Sequence, residues 1–258
     1  MDLGLKNKKV LITGGSKGIG LACAQAFIAE GAQVAIVSRS QENLNQGRKA
    51  LGNAYTIAAD LADAAAAAAM VEKVEKEFGA VDVLVNSAGA AKRTNADDLT
   101  PAAWRAAMDA KYFTYINVID PLVKKMAARG SGVIVNIIGS GGKIASPIHL
   151  PGGSANAALM LATAGLANAY AAKGVRVVGI NPGLTNTSRV SEGLKADAKR
   201  EGISEAEALK RTVQKFPTGR MPEPEESADV VVFAASERAR VLTGAILSAD
   251  AAANPTVV

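Results

Sequence analysis

Short runs of near-continuous apolar residues alternate along the chain with longer stretches whose apolar positions recur at helical spacing. The runs Lys9–Thr13, Gln33–Ser38, Ala54–Ala59, Val81–Asn86, Gly132–Ile138, Val175–Asn181 and Ala245–Ala249 predict strands buried on both faces, because they lack the polar alternation of a one-sided sheet. Between them, helices are predicted over Gly18–Glu30, Asp63–Phe78, Pro101–Met126, Gly153–Tyr170 and Pro224–Ala235. Gly31 ends the first of these and Pro101 opens the third. The Ala-rich stretch Ala64–Ala69 belongs to a surface helix, since Val71, Val74 and Phe78 carry on its period. Strands separated by helices predict an α/β fold: one Rossmann-type, doubly wound parallel sheet of about seven strands with helices on both faces. No internal repeat or linker breaks residues 1–258, which reads as a single domain. Residues 188–218 depart from the rhythm. They are polar, with Val190, Leu194, Leu209, Val213 and Phe216 spaced as in amphipathic helices, either a lid over a substrate or a plain surface excursion.

Composition narrows the function. The net charge of +5 comes from scattered Lys and Arg with no run of five or six, which points to a mildly basic enzyme and away from a nucleic-acid partner. Aromatics, at 4%, leave no platform for stacking bases. The single cysteine, Cys23, allows no internal disulfide and reads as a small buried residue, so a reducing, cytoplasmic setting is expected. Met1–Lys6 lacks the apolar stretch of a signal peptide, and no apolar run suggests a membrane span. One His and one Cys give no expected metal site. No Gly-x-Ser-x-Gly elbow marks a serine hydrolase.

The first strand leads into Thr13-Gly14-Gly15-Ser16-Lys17-Gly18-Ile19-Gly20 and then a helix. A phosphate bridge needs backbone N–H groups at close range, and the helix N-terminus adds positive potential, so Gly14, Ser16, Lys17, Gly18, Ile19 and Gly20 are candidate dinucleotide ligands. The second strand ends in Val37-Ser38-Arg39-Ser40, without the acidic residue that would grip the 2′-hydroxyl of NAD. Arg39 and Lys17 can instead hold a 2′-phosphate, so NADP(H) is preferred and NAD(H) remains possible. Asp60 and Leu61 end the third strand where the adenine would lie, although Asp60 can equally cap the next helix. Asn86, Ala88 and Gly89 end the fourth, where small residues let the chain pass close to a ring or ribose.

These residues together resemble the short-chain dehydrogenase/reductase family, from roughly Lys8 to Asp250. Thr13–Gly20 looks like its TGxxxGxG loop, and Asn86–Gly89 is similar to its NNAG motif, with Ser87 for the second Asn. Asn181-Pro182-Gly183 resembles the segment passing the nicotinamide. Pro182, Gly183, Thr185 and Thr187 then stand where the family contacts the cofactor. Ser248-Ala249-Asp250 looks like the closing VDGG, with Ala251 and Ala252 replacing the glycines. The resemblance implies a carbonyl/alcohol oxidoreductase acting on a small molecule, and a homo-oligomer.

The resemblance also implies an Asn-Ser-Tyr-Lys tetrad, and here the sequence departs. The stretch matching YxASKAAL is Gly152-Gly153-Ser154-Ala155-Asn156-Ala157-Ala158-Leu159, so Gly152 replaces the Tyr and Asn156 the Lys. The Ser position falls on Gly139, beside Ser140, and the Asn position on Lys111. Lys111 either reaches toward the space at position 156 and restores its charge, with Asn156 hydrogen-bonding the ribose, or is a solvated lysine on the helix surface. Ser140 would bind the substrate oxygen. For the missing acid, the only histidine, His149, lies three residues before Gly152 in the loop Lys143–Pro151 and has a suitable intrinsic pKa. It can equally be an exposed loop residue. Tyr115, one turn from Lys111, either pairs with it or points into the helix-packing layer. Three functions stay open: an oxidoreductase with a rewired proton relay, a dinucleotide-binding module that has lost catalysis, and a non-redox lyase, dehydratase or isomerase.

Overall fold

The computed structural model describes residues 1–89 and 92–256. Seven parallel strands form one sheet: β1 (Lys9–Thr13), β2 (Gln33–Ser38), β3 (Tyr55–Ala58), β4 (Val83–Asn86), β5 (Gly132–Ile137), β6 (Val175–Pro182) and β7 (Ile246–Ala249). Their order is β3-β2-β1-β4-β5-β6-β7, the doubly wound arrangement expected. The sheet order reverses between β1 and β4, where Thr13 pairs with Asn86, and this opens a crevice at the strands' carboxyl ends.

Successive strand residues point to opposite layers, and both layers are apolar. Val10, Ile12, Val83, Val85, Val178 and Ile180 pack on one face with helices α1 (Gly18–Ala29), α2 (Gln41–Leu51) and, at the far end of the chain, α9 (Pro224–Ala235). Leu11, Leu84, Ile134 and Val177 pack on the other with α3 (Ala64–Glu77), α5 (Thr114–Arg129) and α6 (Leu150–Tyr170). Burial on both sides explains the unbroken apolar runs. Cys23 is fully buried on α1, and burial pushes its thiol well above the usual range.

Three elements differ from the sequence reading. Helix α2 has no counterpart in it, because only Leu44, Gly47 and Leu51 of that helix are buried, too few for a clear period. The stretch expected as one helix, Pro101–Met126, divides into α4 (Pro101–Ala107), a π-helical turn over Met108–Phe113, and α5. Thr114 Oγ1 lies 2.9 Å from the Lys111 carbonyl and takes up hydrogen-bonding capacity that the wide turn frees. Helix α6 starts three residues early, with His149 at its N-cap, so Gly152 sits in a first turn and not in a loop.

Residues 188–218 hold α7 (Ser188–Glu201) and α8 (Glu205–Val213). No helix among the described residues is long and apolar enough to cross a membrane.

Candidate active site

The glycine loop is packed so that larger residues do not fit. A Cβ on Gly14 would lie 2.9 Å from the backbone of Ala88, and one on Gly20 would strike the Gly14 carbonyl. This closeness brings the loop after β1 onto the loop after β4. Thr13 Oγ1 fixes the pair, accepting from Ser87 N (3.1 Å) and Ala88 N (3.2 Å). Asn86 continues the polar line by donating to Asn136 Oδ1 at 3.0 Å, and Asn136 donates to Thr163 Oγ1 at 2.9 Å. These buried side chains satisfy one another and hold the crevice floor.

Ser16 and Ile19 flank the turn, Ser16 buried and Ile19 half-buried, while Lys17 is exposed. No acidic residue stands in the first turn of α1 to oppose a phosphate. Arg39 is exposed at the end of β2 and, like Lys17, forms no ion pair among the described residues. Asp60 is exposed and accepts from Ala62 N. The helix cap expected of it belongs instead to Asp63, whose side chain accepts from Ala66 N. Leu61 is buried, and its carbonyl is held by Asn117. Gly89 turns with a positive φ against the π-helical turn.

Pro182 ends β6. Gly183 follows and packs on Asp250, and Thr185 is buried and donates to the Gly183 carbonyl. Thr187 sets the start of α7 over the glycine loop, its methyl 3.5 Å from where a Gly18 Cβ would be. Ala251 and Ala252, which stand for two glycines in the resemblance, keep left-handed backbone at φ 53° and 59°.

Around position 152 the geometry is specific. A Cβ on Gly152 would lie 2.6 Å from Nε2 and 2.8 Å from Nδ1 of His149, so the imidazole fills the space in which a side chain at 152 would begin. His149 is half-buried and its Nδ1 is buried without a hydrogen-bond partner. Burial, then the positive charges of Arg93 and Lys111, hold its pKa below the usual value. The ring also borders Gly141, and the Asn156 amide borders Gly139 and Gly141. Asn156 is buried and its Oδ1 has no partner. Ser140 stands in the short turn Ser140–Gly142, half-buried, and its hydroxyl makes no hydrogen bond with a described residue.

Lys111 corrects the expectation made for it. Its Nζ donates to Tyr115 Oη at 2.9 Å and to the Ile137 carbonyl at 3.1 Å, and does not reach toward Asn156. A buried ammonium needs nearby acceptors, and the β5 carbonyl and the tyrosine supply them. Tyr115 is fully buried and also donates to Ile137 O at 2.5 Å, so the pairing and the packing readings both hold. Burial, with Arg189 adding repulsion, brings Lys111 down to about 7.

Sequence reasoning passed over Arg93 and Arg189. The signal was available: the segments 87–96, 139–156 and 181–191 contain Lys92, Arg93, Lys143, His149 and Arg189 and no carboxylate.

Comparison with known proteins identifies the family. The family described as short chain dehydrogenase matches residues 8–198. The chain belongs to that family. It is 34% identical to the 3alpha-hydroxysteroid dehydrogenase of Mediterraneibacter gnavus, over 98% of this chain and 99% of the relative. It is 32% identical to the acetoacetyl-CoA reductase of Shinella zoogloeoides, over 95% and 97%. The L-sorbose reductase of Gluconobacter frateurii, solved with NADPH and L-sorbose, superposes with a TM-score of 0.94 at 30% identity, covering 100% of both chains. With such relatives the chain is an NAD(P)-dependent short-chain oxidoreductase.

The residues fit the dinucleotide this family uses. The loop that a Cβ would fill leaves backbone and the α1 N-terminus for the phosphates. The orphaned Asn156 Oδ1 is an acceptor suited to a ribose hydroxyl.

Proposed function

We propose that the chain is an NADP(H)-dependent oxidoreductase that interconverts a small-molecule carbonyl and its alcohol, with His149 exchanging the proton in place of a tyrosine. The observation that carries this reading is the imidazole standing over Gly152, in the volume a side chain there would take. The dinucleotide, when bound, supplies or accepts the hydride.

The chain's own residues do the rest. Lys17 and Arg39 provide two exposed cations for a 2′-phosphate, and the solved reductase neighbours hold NADPH. Asn156 accepts from the ribose through Oδ1. Ser140 offers a free hydroxyl to the substrate oxygen. His149, kept neutral near pH 7 by its lowered pKa, takes the proton from an alcohol. It returns the proton to the product oxygen in the reverse direction once protonated. Lys111 acts at longer range through Tyr115 and the β5 carbonyl, and gives the pocket positive potential.

Helices α7 and α8 form a lid over the single domain, placed by Thr187 above Gly18 and by the ion pair from Arg93 to Asp197. Leu161 on α6, 77% exposed, gives the apolar surface that a homo-oligomer would bury.

Calorimetric titration with NADPH and NADH, on the wild type and Arg39→Ala, tests the cofactor part. The reading requires tighter NADPH binding that falls by about tenfold or more in the variant, as for a lost charged hydrogen bond. Absence of binding by either cofactor would refute it.

A further inference from the structure

We propose that the cleft between the segments 92–96, 139–156 and 181–191 takes a small carbonyl or alcohol substrate bearing an anionic group, a carboxylate or a phosphate, gripped by Arg93 and Arg189. The reacting carbonyl rests on the oxidoreductase reading above; the anion site does not.

The two arginines come from different elements that are joined through α7. Thr94 N donates to the Ile148 carbonyl at 3.1 Å, which lays the loop carrying Arg93 beside the loop carrying His149. Arg93 Nη1 lies 3.6 Å from Asp197 Oδ2, so the same loop is tied to α7. Arg189 stands in the first turn of α7, two residues after Thr187, which covers the glycine loop. The structure therefore places Arg93 on the His149 side of the opening and Arg189 on the cofactor side.

The segments that line the cleft carry cations and no carboxylate of their own, and the carboxylates that border it are Asp197 on α7 and Asp250, packed on Gly183. Arg189 is the charged group acting on Lys111, while Arg93 and Lys111 are those acting on His149. Asp197 neutralises part of Arg93 from the α7 side, at a pair that is half-exposed and screened by solvent. A single-sign group of charges around a low-dielectric pocket raises its own energy and is relieved by a counter-anion.

The cofactor's phosphates belong at the glycine loop, with Lys17, Arg39 and the α1 N-terminus, and Arg189 stands on the near side of that loop, two residues after Thr187. Arg93, beside the His149 loop, lies away from them. Guanidinium groups pair with carboxylate or phosphate through two parallel hydrogen bonds, a geometry a neutral hydroxyl cannot match. Gly139 and Gly141 carry no side chain where they border the Asn156 amide and the His149 ring.

The test is calorimetric titration of the full chain, with and without saturating NADP+, against two matched pairs: acetoacetate with methyl acetoacetate, and dihydroxyacetone phosphate with dihydroxyacetone. Wild type, Arg189→Gln and Arg93→Gln are compared, and both exposed substitutions are checked for unchanged melting. At least one anion should bind about tenfold or more tighter than its neutral partner, lose that advantage in Arg189→Gln, and weaken with added salt. Which pair shows the preference decides between carboxylate and phosphate. Equal binding of anion and neutral partner in both pairs, or equal weakening of both by the arginine substitutions, overturns the proposal. NADPH consumption followed in parallel separates the two readings. Anion-selective binding without consumption removes the oxidoreductase reading and leaves the anion site. Consumption with neutral ketones and no anion preference does the reverse.

Discussion

Replacing Gly152 by alanine adds one carbon at the point where His149 already stands. The new Cβ would lie 2.6 Å from Nε2 and 2.8 Å from Nδ1. Cε1 would be nearer still, and since such contacts settle nearer 3.5 Å the ring has to withdraw by about 1.5 Å. The backbone pays nothing for the change, because Gly152 lies in the first turn of α6 and alanine favours a helix by up to about 1 kcal/mol. Folding stability should therefore hold or rise slightly. Activity should not, since a reacting group displaced by about 1 Å loses on the order of a hundredfold in rate. The assay is NADPH turnover under cofactor saturation, together with thermal melting, on the wild type, Gly152→Ala, His149→Ala and the double variant. Both single variants should be slow and well folded, and the double variant no slower than His149→Ala, because the two changes remove the same function. Full activity in Gly152→Ala beside a slow His149→Ala would refute the placement of the imidazole. A strongly destabilised Gly152→Ala would refute the idea that only a side chain has to move.

Other consequences follow from the same geometry. Lys111 has a folded pKa of about 7 against 10.5 in the unfolded chain, so between these values the unfolded state binds the extra proton. Wild-type stability should rise with pH across that window, and below about pH 7 the full cost of the buried cation applies. Lys111→Met should melt higher at pH 6 to 7, by an amount on the order of a few kcal/mol, and the gap should close toward pH 10. A constant gap across pH would contradict this. The lowered pKa of His149 means that alcohol oxidation should rise with pH and level off below pH 6.5, while carbonyl reduction should fall over the same range. Inflections that survive in His149→Ala belong to another group. Ala251→Gly and Ala252→Gly should each raise stability in denaturant titration by up to about 1 kcal/mol, since left-handed backbone costs an alanine more than a glycine.

Much of the fold is legible from the strands alone. Residues buried on both faces, such as Val10, Leu11 and Ile12, write themselves as unbroken apolar runs, and glycine loops mark where the chain turns against itself. The cofactor end of the crevice is legible because Gly20 answers to a local clash with the Gly14 carbonyl and the whole loop sits at a strand–turn–helix junction, although Gly14 itself is held small by the distant backbone of Ala88. Helix α2 is not, since it buries only one small face. The π-helical turn leaves no mark in apolar spacing, yet it lies where Lys111 and Tyr115 meet the Ile137 carbonyl.

The substrate end is harder to read for a different reason: its contacts are long-range. That Lys111 turns to β5 instead of Asn156 depends on a carbonyl 26 positions away in the chain. That His149 stands over Gly152 depends on α6 beginning early enough to make His149 its N-cap. A loop histidine and a missing tyrosine look unrelated until the helix start is known. The cationic rim is the reverse case, a pattern of absent carboxylates that the sequence carries openly in three separate segments.

The most direct test of the account is NADPH consumption by the wild type and His149→Ala at cofactor saturation, with NADPH affinity measured on both. The account predicts consumption by the wild type, a loss of about a hundredfold or more in the variant, and equal affinity for NADPH. A wild type that binds NADPH and never consumes it, or a variant as fast as the wild type, would contradict it.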